Sequence, residues 1–62
     1  MDRLDLEHMM VGRVDAHIYW TTPQGIAYLQ LPVDADHIGL WRNGDRVAVL
    51  TIDTFGNFVQ VA

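Results

Sequence analysis

Hydrophobic and polar residues alternate with a period of two along most of this chain, the pattern of β-strands that bury one face. In residues 10–20 the apolar or small residues fall at even positions, from Met10 to Trp20, and most polar ones fall at odd positions. We expect this stretch to form one long strand. Gly12 is the expected position of a bend or bulge in it.

Four further strands are predicted downstream, separated by residues that favour turns. Their expected ranges are residues 25–31, 38–41, 46–53 and 58–62. The strand at 46–53 has apolar residues on both faces, which indicates a central strand or one that borders a subunit interface. The next connection, residues 54–57, is expected to be a hairpin turn with Gly56 at positive φ.

The first nine residues allow two interpretations. Asp2 or Asp5 is suited to cap a helical turn that carries Leu6, Met9 and Met10. Equally, Leu4 and Leu6 continue the even-numbered alternation of the strand that follows. No internal repeat is visible. With five short strands, the sequence predicts an all-β single domain over residues 1–62, built as a small antiparallel barrel (OB-like or Src-homology-type) or a curled sheet.

Size and composition narrow the class of protein. The chain has 62 residues, of which 50% are hydrophobic and 19% charged, so we expect a folded domain. It lacks both the long apolar run of a membrane span and the basic and apolar regions of a signal peptide. We therefore expect a soluble, cytoplasmic protein. Because so short a chain buries only about 60% of its unfolded surface, we also expect a homo-oligomer.

Missing residue types argue against catalysis. There is no cysteine, lysine or serine in the chain. This excludes thiolate zinc sites, cysteine nucleophiles, Schiff-base chemistry and serine triads. We expect neither enzymatic activity nor a cofactor.

One cluster has metal-ligand chemistry. Asp34, Asp36 and His37 lie together, and carboxylates with an imidazole can bind a divalent cation. Their spacing does not place them on one face of a strand, and no further ligand is evident elsewhere. We favour a polar turn or a single helical turn with acidic residues near its start, and we predict no metal site.

The net charge of −4 limits the choice of partners. Nucleic-acid-binding domains usually carry a basic patch because phosphate contacts dominate their affinity. Here the positive charges are few, and three of the candidate binding residues, Trp41, Arg42 and Arg46, cluster around the Asn43-Gly44 turn. An aromatic side chain beside arginines suits either a protein hot spot or base stacking with phosphate contact.

The order of short motifs over residues 12–62 resembles the OB-fold RNA-binding domain repeated in the largest small-subunit ribosomal protein. The similar segments are Gly12-Arg13-Val14, Ala27-Tyr28-Leu29-Gln30-Leu31, Gly39-Leu40-Trp41-Arg42 and Gly44-Asp45-Arg46-Val47-Ala48-Val49, followed by Ile52-Asp53 and Gly56. The resemblance implies that Tyr28 takes the place of a base-stacking aromatic residue. It also implies that Arg42 replaces a histidine of the family.

Two functions follow from these observations. The first is a non-enzymatic protein-interaction or assembly module that acts through apolar strand faces and the Trp41 region. The alternative is a weak single-stranded RNA- or DNA-binding domain that uses Tyr28, Trp41, Arg42 and Arg46. The acidic net charge favours the first function.

Overall fold

Six antiparallel strands form one sheet in the computed structural model, which describes residues 3–62. They are β1 (Met10–Val14), β2 (His17–Thr21), β3 (Ala27–Pro32), β4 (His37–Arg42), β5 (Asp45–Ile52) and β6 (Phe58–Gln60). Each strand pairs with the next, and the order β1-β2-β3-β4-β5-β6 leaves β1 and β6 as the two edges. The sheet curls strongly and forms an open half-barrel.

The all-β class and the curled sheet are therefore confirmed, whereas the sheet has six strands and stays open instead of forming the predicted five-stranded barrel. An OB-fold is a five-stranded Greek-key barrel, whereas this sheet is a six-stranded meander with two free edges. The predicted strands at 25–31, 38–41, 46–53 and 58–62 correspond to β3 to β6, with ends that differ by a few residues. As expected, β5 is an internal strand, paired with β4 on one side and β6 on the other.

The extra strand arises because residues 10–20 form a hairpin rather than one strand. Asp15 adopts φ 54°, and the chain reverses there so that Val14 lies opposite His17. A two-residue turn pairs odd positions with even ones, as in the pair Val11–Trp20. The even positions of the two strands therefore lie on opposite faces. Gly12, the predicted bend or bulge, lies in the middle of β1, and the pairing with β2 continues through it without a bulge.

Two turn types form three of the four remaining connections, those from β2 to β3, from β4 to β5 and from β5 to β6. Asn43 and Gly44 have φ values of 53° and 83°, as a type I′ turn requires of both central residues. The turns at residues 22–26 and 53–57 share another pattern, in which the first residue's N–H donates to the fifth residue's carbonyl, at 2.8 and 2.9 Å. In both, the glycine at the fourth position has positive φ. In both three-stranded units, β1–β3 and β4–β6, a two-residue turn is thus followed by a turn of this five-residue type.

The core lies on the inner, concave face of the sheet. Its buried residues are Trp20, Tyr28, Leu40, Ala48 and Leu50. Trp20 and Tyr28 are register partners on β2 and β3, and the indole N–H of Trp20 donates to Oε1 of Gln30 at 2.7 Å. This bond satisfies the polar atom of a side chain that is only 3% exposed.

The segment before β1 covers part of this core and resolves the two interpretations of the first nine residues. Leu6–His8 form a 3-10 helix, so the alternation of Leu4 and Leu6 does not continue the strand. The helix is shorter than predicted, because Met9 follows it in extended conformation and Met10 begins β1. Leu4, Leu6 and Met9 pack against the core. Asp5 precedes the helix without a side-chain capping bond, and Asp2 lies outside the described residues. Within residues 3–62, no helix has the length and apolar character needed to span a membrane.

Candidate functional site

Trp41 lies near the end of β4, where the pairing with β5 shifts register. The irregularity falls between Leu40 and Trp41, and it places Trp41 opposite Arg46 while Arg42 pairs with Asp45. The tight Asn43-Gly44 turn immediately follows. A bulge next to a turn re-aims the side chains beside it, and here the side chains of Trp41 and Arg46 both come to lie over Gly39.

The indole of Trp41 lies over Gly39. A Cβ atom placed on Gly39 would be 3.0 Å from Nε1 of Trp41 and 3.0 Å from Cδ of Arg46. It would also be 3.1 Å from Cγ2 of Val33. The absence of a side chain at Gly39 is therefore what allows these three side chains to meet on the sheet surface. Nε1 of Trp41 is buried and has no hydrogen-bond partner among residues 3–62.

The Trp41 side chain belongs to an apolar row on the outer, convex face. Tyr19, Leu29 and Trp41 are successive register partners on β2, β3 and β4, and all three are half-buried. A second row is formed by Leu31, Gly39 and Val49 on β3, β4 and β5. We call the surface formed by Tyr19, Leu29, Leu31, Trp41, Arg46 and Val49 the outer patch.

The structure brings together only some of the predicted binding residues. Trp41 and Arg46 meet in the outer patch, and Arg42 is exposed beside the turn. Tyr28 is 8% exposed and packs in the core next to Trp20. Because Leu29 shares a face with Trp41, its neighbour Tyr28 lies on the opposite face.

Asp34, Asp36 and His37 form a hydrogen-bonded turn between β3 and β4. Oδ1 of Asp34 accepts hydrogen bonds from the backbone N–H of Asp36 and from Nδ1 of His37, both at 2.8 Å. The first of these bonds, followed by the second, lowers the pKa of Asp34 below its ordinary value. The same carboxylate oxygen thus closes the turn, as aspartate side chains commonly do.

A second polar group lies in the segment before β1, which sequence reasoning did not single out. The ligand-type atoms of Asp5, Glu7 and His8 lie within 4.8 Å of one another, and all three residues are exposed. Nδ1 of His8 is 2.7 Å from Oδ2 of Asp5. That hydrogen bond raises the pKa of His8, so the cluster is an ion pair at the surface when His8 is protonated.

An open groove of about 490 Å³ lies between the segment before β1 and the two edges of the sheet. Its lining consists of Leu6, Glu7, Met9, Val11, Trp20, Asn57 and Phe58. The groove combines residues from both ends of the chain. No pattern within one strand predicts it, because it depends on the curl that brings β6 near β2.

Neither a protein-family model, nor a curated protein, nor a solved structure matches this chain.

Proposed function

We propose that this chain is a non-enzymatic protein-interaction or assembly module whose partner binds the outer patch. The observation that carries the proposal is the in-register row of Tyr19, Leu29 and Trp41 across three neighbouring strands. Apolar rows on the solvent side of an antiparallel sheet depart from its usual polar outer face. Contiguous apolar surface of this kind is typical of protein interaction sites.

The composition of the outer patch supports a binding role. Tryptophan, tyrosine and arginine are the residue types most enriched at interface hot spots. Trp41 is already held over Gly39 between Arg46 and Val33. A side chain that is fixed before binding loses little conformational freedom when the complex forms, and this favours affinity.

A single-stranded nucleic acid is the alternative partner, but the charge and placement of the residues favour it less. The chain carries a net charge of −4 with only four basic residues, all arginines. Tyr28, the stacking residue that the ribosomal resemblance implies, is buried on the face opposite Trp41. The resemblance itself stays a prediction.

The proposal is tested by capturing proteins with the full chain, identifying the bound one and measuring its affinity in purified form by calorimetry. Trp41→Ala should weaken binding by about 30-fold, the equivalent of about 2 kcal/mol. Arg42→Ala, the matched control at the exposed turn, should change it by less than about fivefold. Affinity should change little between low and high salt. Equal losses for the two variants would contradict the proposal.

A titration with a short labelled single-stranded oligonucleotide discriminates the alternative. We expect no binding tighter than about 10⁻⁴ M at low salt, the weak end of non-specific binding. A micromolar complex that weakens steeply with salt and is lost in Arg42→Ala and Arg46→Ala would instead support the nucleic-acid function. Each arginine that meets a phosphate should then lower the salt slope by about one unit.

A further inference from the structure

β1 is an unprotected sheet edge. All five of its residues, Met10–Val14, are exposed, and among residues 3–62 its only strand partner is β2. The strand carries three large apolar side chains and a single charge, on Arg13. Natural edges are usually blocked by charges, prolines, bulges or covering segments. An exposed apolar edge without such protection is a template for another strand.

The pairing with β2 determines which backbone groups of β1 point outwards. Val14 and His17 close a two-residue turn, so they form a hydrogen-bonded pair. Such pairs alternate along an antiparallel ladder, which makes Gly12–Tyr19 the next one. The N–H and C=O groups of Val11 and Arg13 therefore point away from β2. No backbone bond to either residue occurs outside the β1–β2 ladder in the described part of the chain.

The other edge of the sheet is protected. β6 has only three residues, and Nη1 of Arg3 donates to the backbone carbonyl of Gln60 at 2.9 Å. The N–H of Leu4 donates to Oε1 of the same glutamine at 2.8 Å. The segment before β1 thus occupies the β6 edge. This disfavours a head-to-tail assembly in which β1 of one copy pairs with β6 of the next.

We propose that β1 pairs antiparallel with β1 of a second copy of this chain, with the two-fold axis at Gly12. In this register Val11 of each copy lies opposite Arg13 of the other. The outward N–H and C=O groups of these residues then bond to each other, which gives two hydrogen-bonded pairs. A register centred on Arg13 would set two like charges opposite each other. A register centred on Val11 would extend beyond the strand. Only the Gly12 register pairs all five residues of β1.

Side-chain chemistry fits the same register. On the outer face, Met10 lies opposite the partner's Val14, which gives an apolar pair on each side of Gly12. On the inner face, Arg13 lies beside the partner's Val11, at the rim of the groove that Glu7 also lines. The one charge of β1 is thus placed at the rim of a groove that an acidic side chain of the other copy lines. The dimer joins two six-stranded sheets into one and does not use the outer patch, so it goes beyond the proposed function and is independent of it.

Variants that carry opposite charges at Gly12, alone and mixed, test this inference. A Cβ on Gly12 meets nothing within 4 Å, so the isolated fold accommodates a side chain there. Sedimentation of the full chain at micromolar concentration should show a dimer. Gly12→Glu and Gly12→Lys should each weaken dimerisation by about tenfold or more, because like charges then face each other across the axis. An equimolar mixture of the two variants should restore the dimer.

Thr54→Glu, at an exposed turn residue, is the control with the same added charge and should dimerise like the wild type. A second readout is Gly12→Cys in this cysteine-free chain. The two copies of Gly12 form a non-hydrogen-bonded pair, whose Cα atoms are about 4.5 Å apart, within disulfide range. Mild oxidation should therefore cross-link Gly12→Cys and not Thr54→Cys.

Two results would overturn the inference. One is a wild-type chain that stays monomeric up to about 1 mM; the other is a dimer that persists in the Gly12 variants but is lost in Trp41→Ala. The latter result would leave the outer patch as the interface.

Discussion

Trp20 on β2 packs edge-on against Phe58 on β6, with ring centroids 5.1 Å apart and an interplanar angle of 89°. Three strands lie between β2 and β6 in the sheet, so this contact crosses the concave interior. Edge-to-face aromatic pairs are worth about 0.5–1.5 kcal/mol beyond the area they bury. The pair therefore helps to hold the curl that turns a six-stranded meander into a half-barrel.

Phe58→Ala should destabilise the fold by about 2 kcal/mol in urea denaturation, since it removes both the aromatic pair and buried area. Phe58 is 38% exposed, so the loss should fall below that of a fully buried phenylalanine. Phe55→Ala is the matched control in the same turn region. Its side chain is 87% exposed, and the change should stay within about 0.5 kcal/mol. Equal effects of the two substitutions would show that the Trp20–Phe58 contact does not stabilise the curl.

The sequence predicts those parts of the fold whose turns have a local chemical signature. Asn43-Gly44 and Gly56 mark sites of positive φ, and the strands on either side of them were predicted from alternation. Asp15-Ala16 lacks such a signature, because aspartate is only a secondary choice for positive φ. The alternation of residues 10–20 also continues through the turn, which concealed the β1–β2 hairpin. The sixth strand could therefore not be predicted.

Of the candidate site, the sequence predicts only the residues that lie close together along the chain, because the others are brought together by strand pairing. Trp41 and Arg46 are close in sequence around a recognisable turn, so local spacing was sufficient to bring them together. The burial of Tyr28 depends on which face of β3 is concave. The pairing with β2 and the direction in which the sheet curls decide which face that is. The alternation of residues along β3 alone predicts neither of them. The pairing of Tyr19 and Leu29 with Trp41 likewise required the register of three strands.

A prediction about the last hairpin rests on Gly56, which has φ 83°. Gly56→Val should destabilise the fold by about 1–3 kcal/mol, because a β-branched residue is strained at positive φ. Thr54→Val places the same side chain on an exposed residue of the same turn that does not have positive φ, and its effect should stay within about 0.5 kcal/mol. Thermal unfolding of both variants beside the wild type provides the comparison. An unchanged melting temperature for Gly56→Val would mean that the turn relaxes without loss.

The turn before β4 should respond to acid through Asp34. Its pKa lies below the ordinary value because the charged carboxylate accepts the Asp36 N–H and then the His37 Nδ1 bond. A carboxyl with a lowered folded pKa stabilises the fold above its unfolded pKa, and this contribution is lost as the pH falls through the folded pKa. Carbon-detected NMR should find the Asp34 midpoint below that of the urea-unfolded chain.

Asp34→Asn provides the control for this titration, since it keeps an oxygen acceptor for the Asp36 N–H but cannot ionise. The stability difference between wild type and Asp34→Asn should shrink as the pH falls through the folded pKa of Asp34. A difference that stays constant through the acid range would show that the charge on Asp34 does not contribute to the turn.

The final prediction concerns Gly39, on which the geometry of the outer patch depends. Gly39→Ala places a Cβ 3.0 Å from Nε1 of Trp41 and 3.0 Å from Cδ of Arg46, tighter than ordinary van der Waals contact, so we expect the indole to shift by a few tenths of an ångström. The substitution should lower the free energy of unfolding by about 1–3 kcal/mol, as at other overpacked sites.

In nitrogen–proton correlation spectra of Gly39→Ala, the indole N–H signal of Trp41 should shift while that of Trp20, bonded to Gln30, stays in place. Loss of partner affinity should accompany the shift, whereas Thr54→Ala, at an exposed turn residue outside the outer patch, should leave both the Trp41 signal and that affinity unchanged. A Trp41 signal unchanged in Gly39→Ala would mean that the indole does not rest on this glycine and that the outer patch is not preorganised for binding.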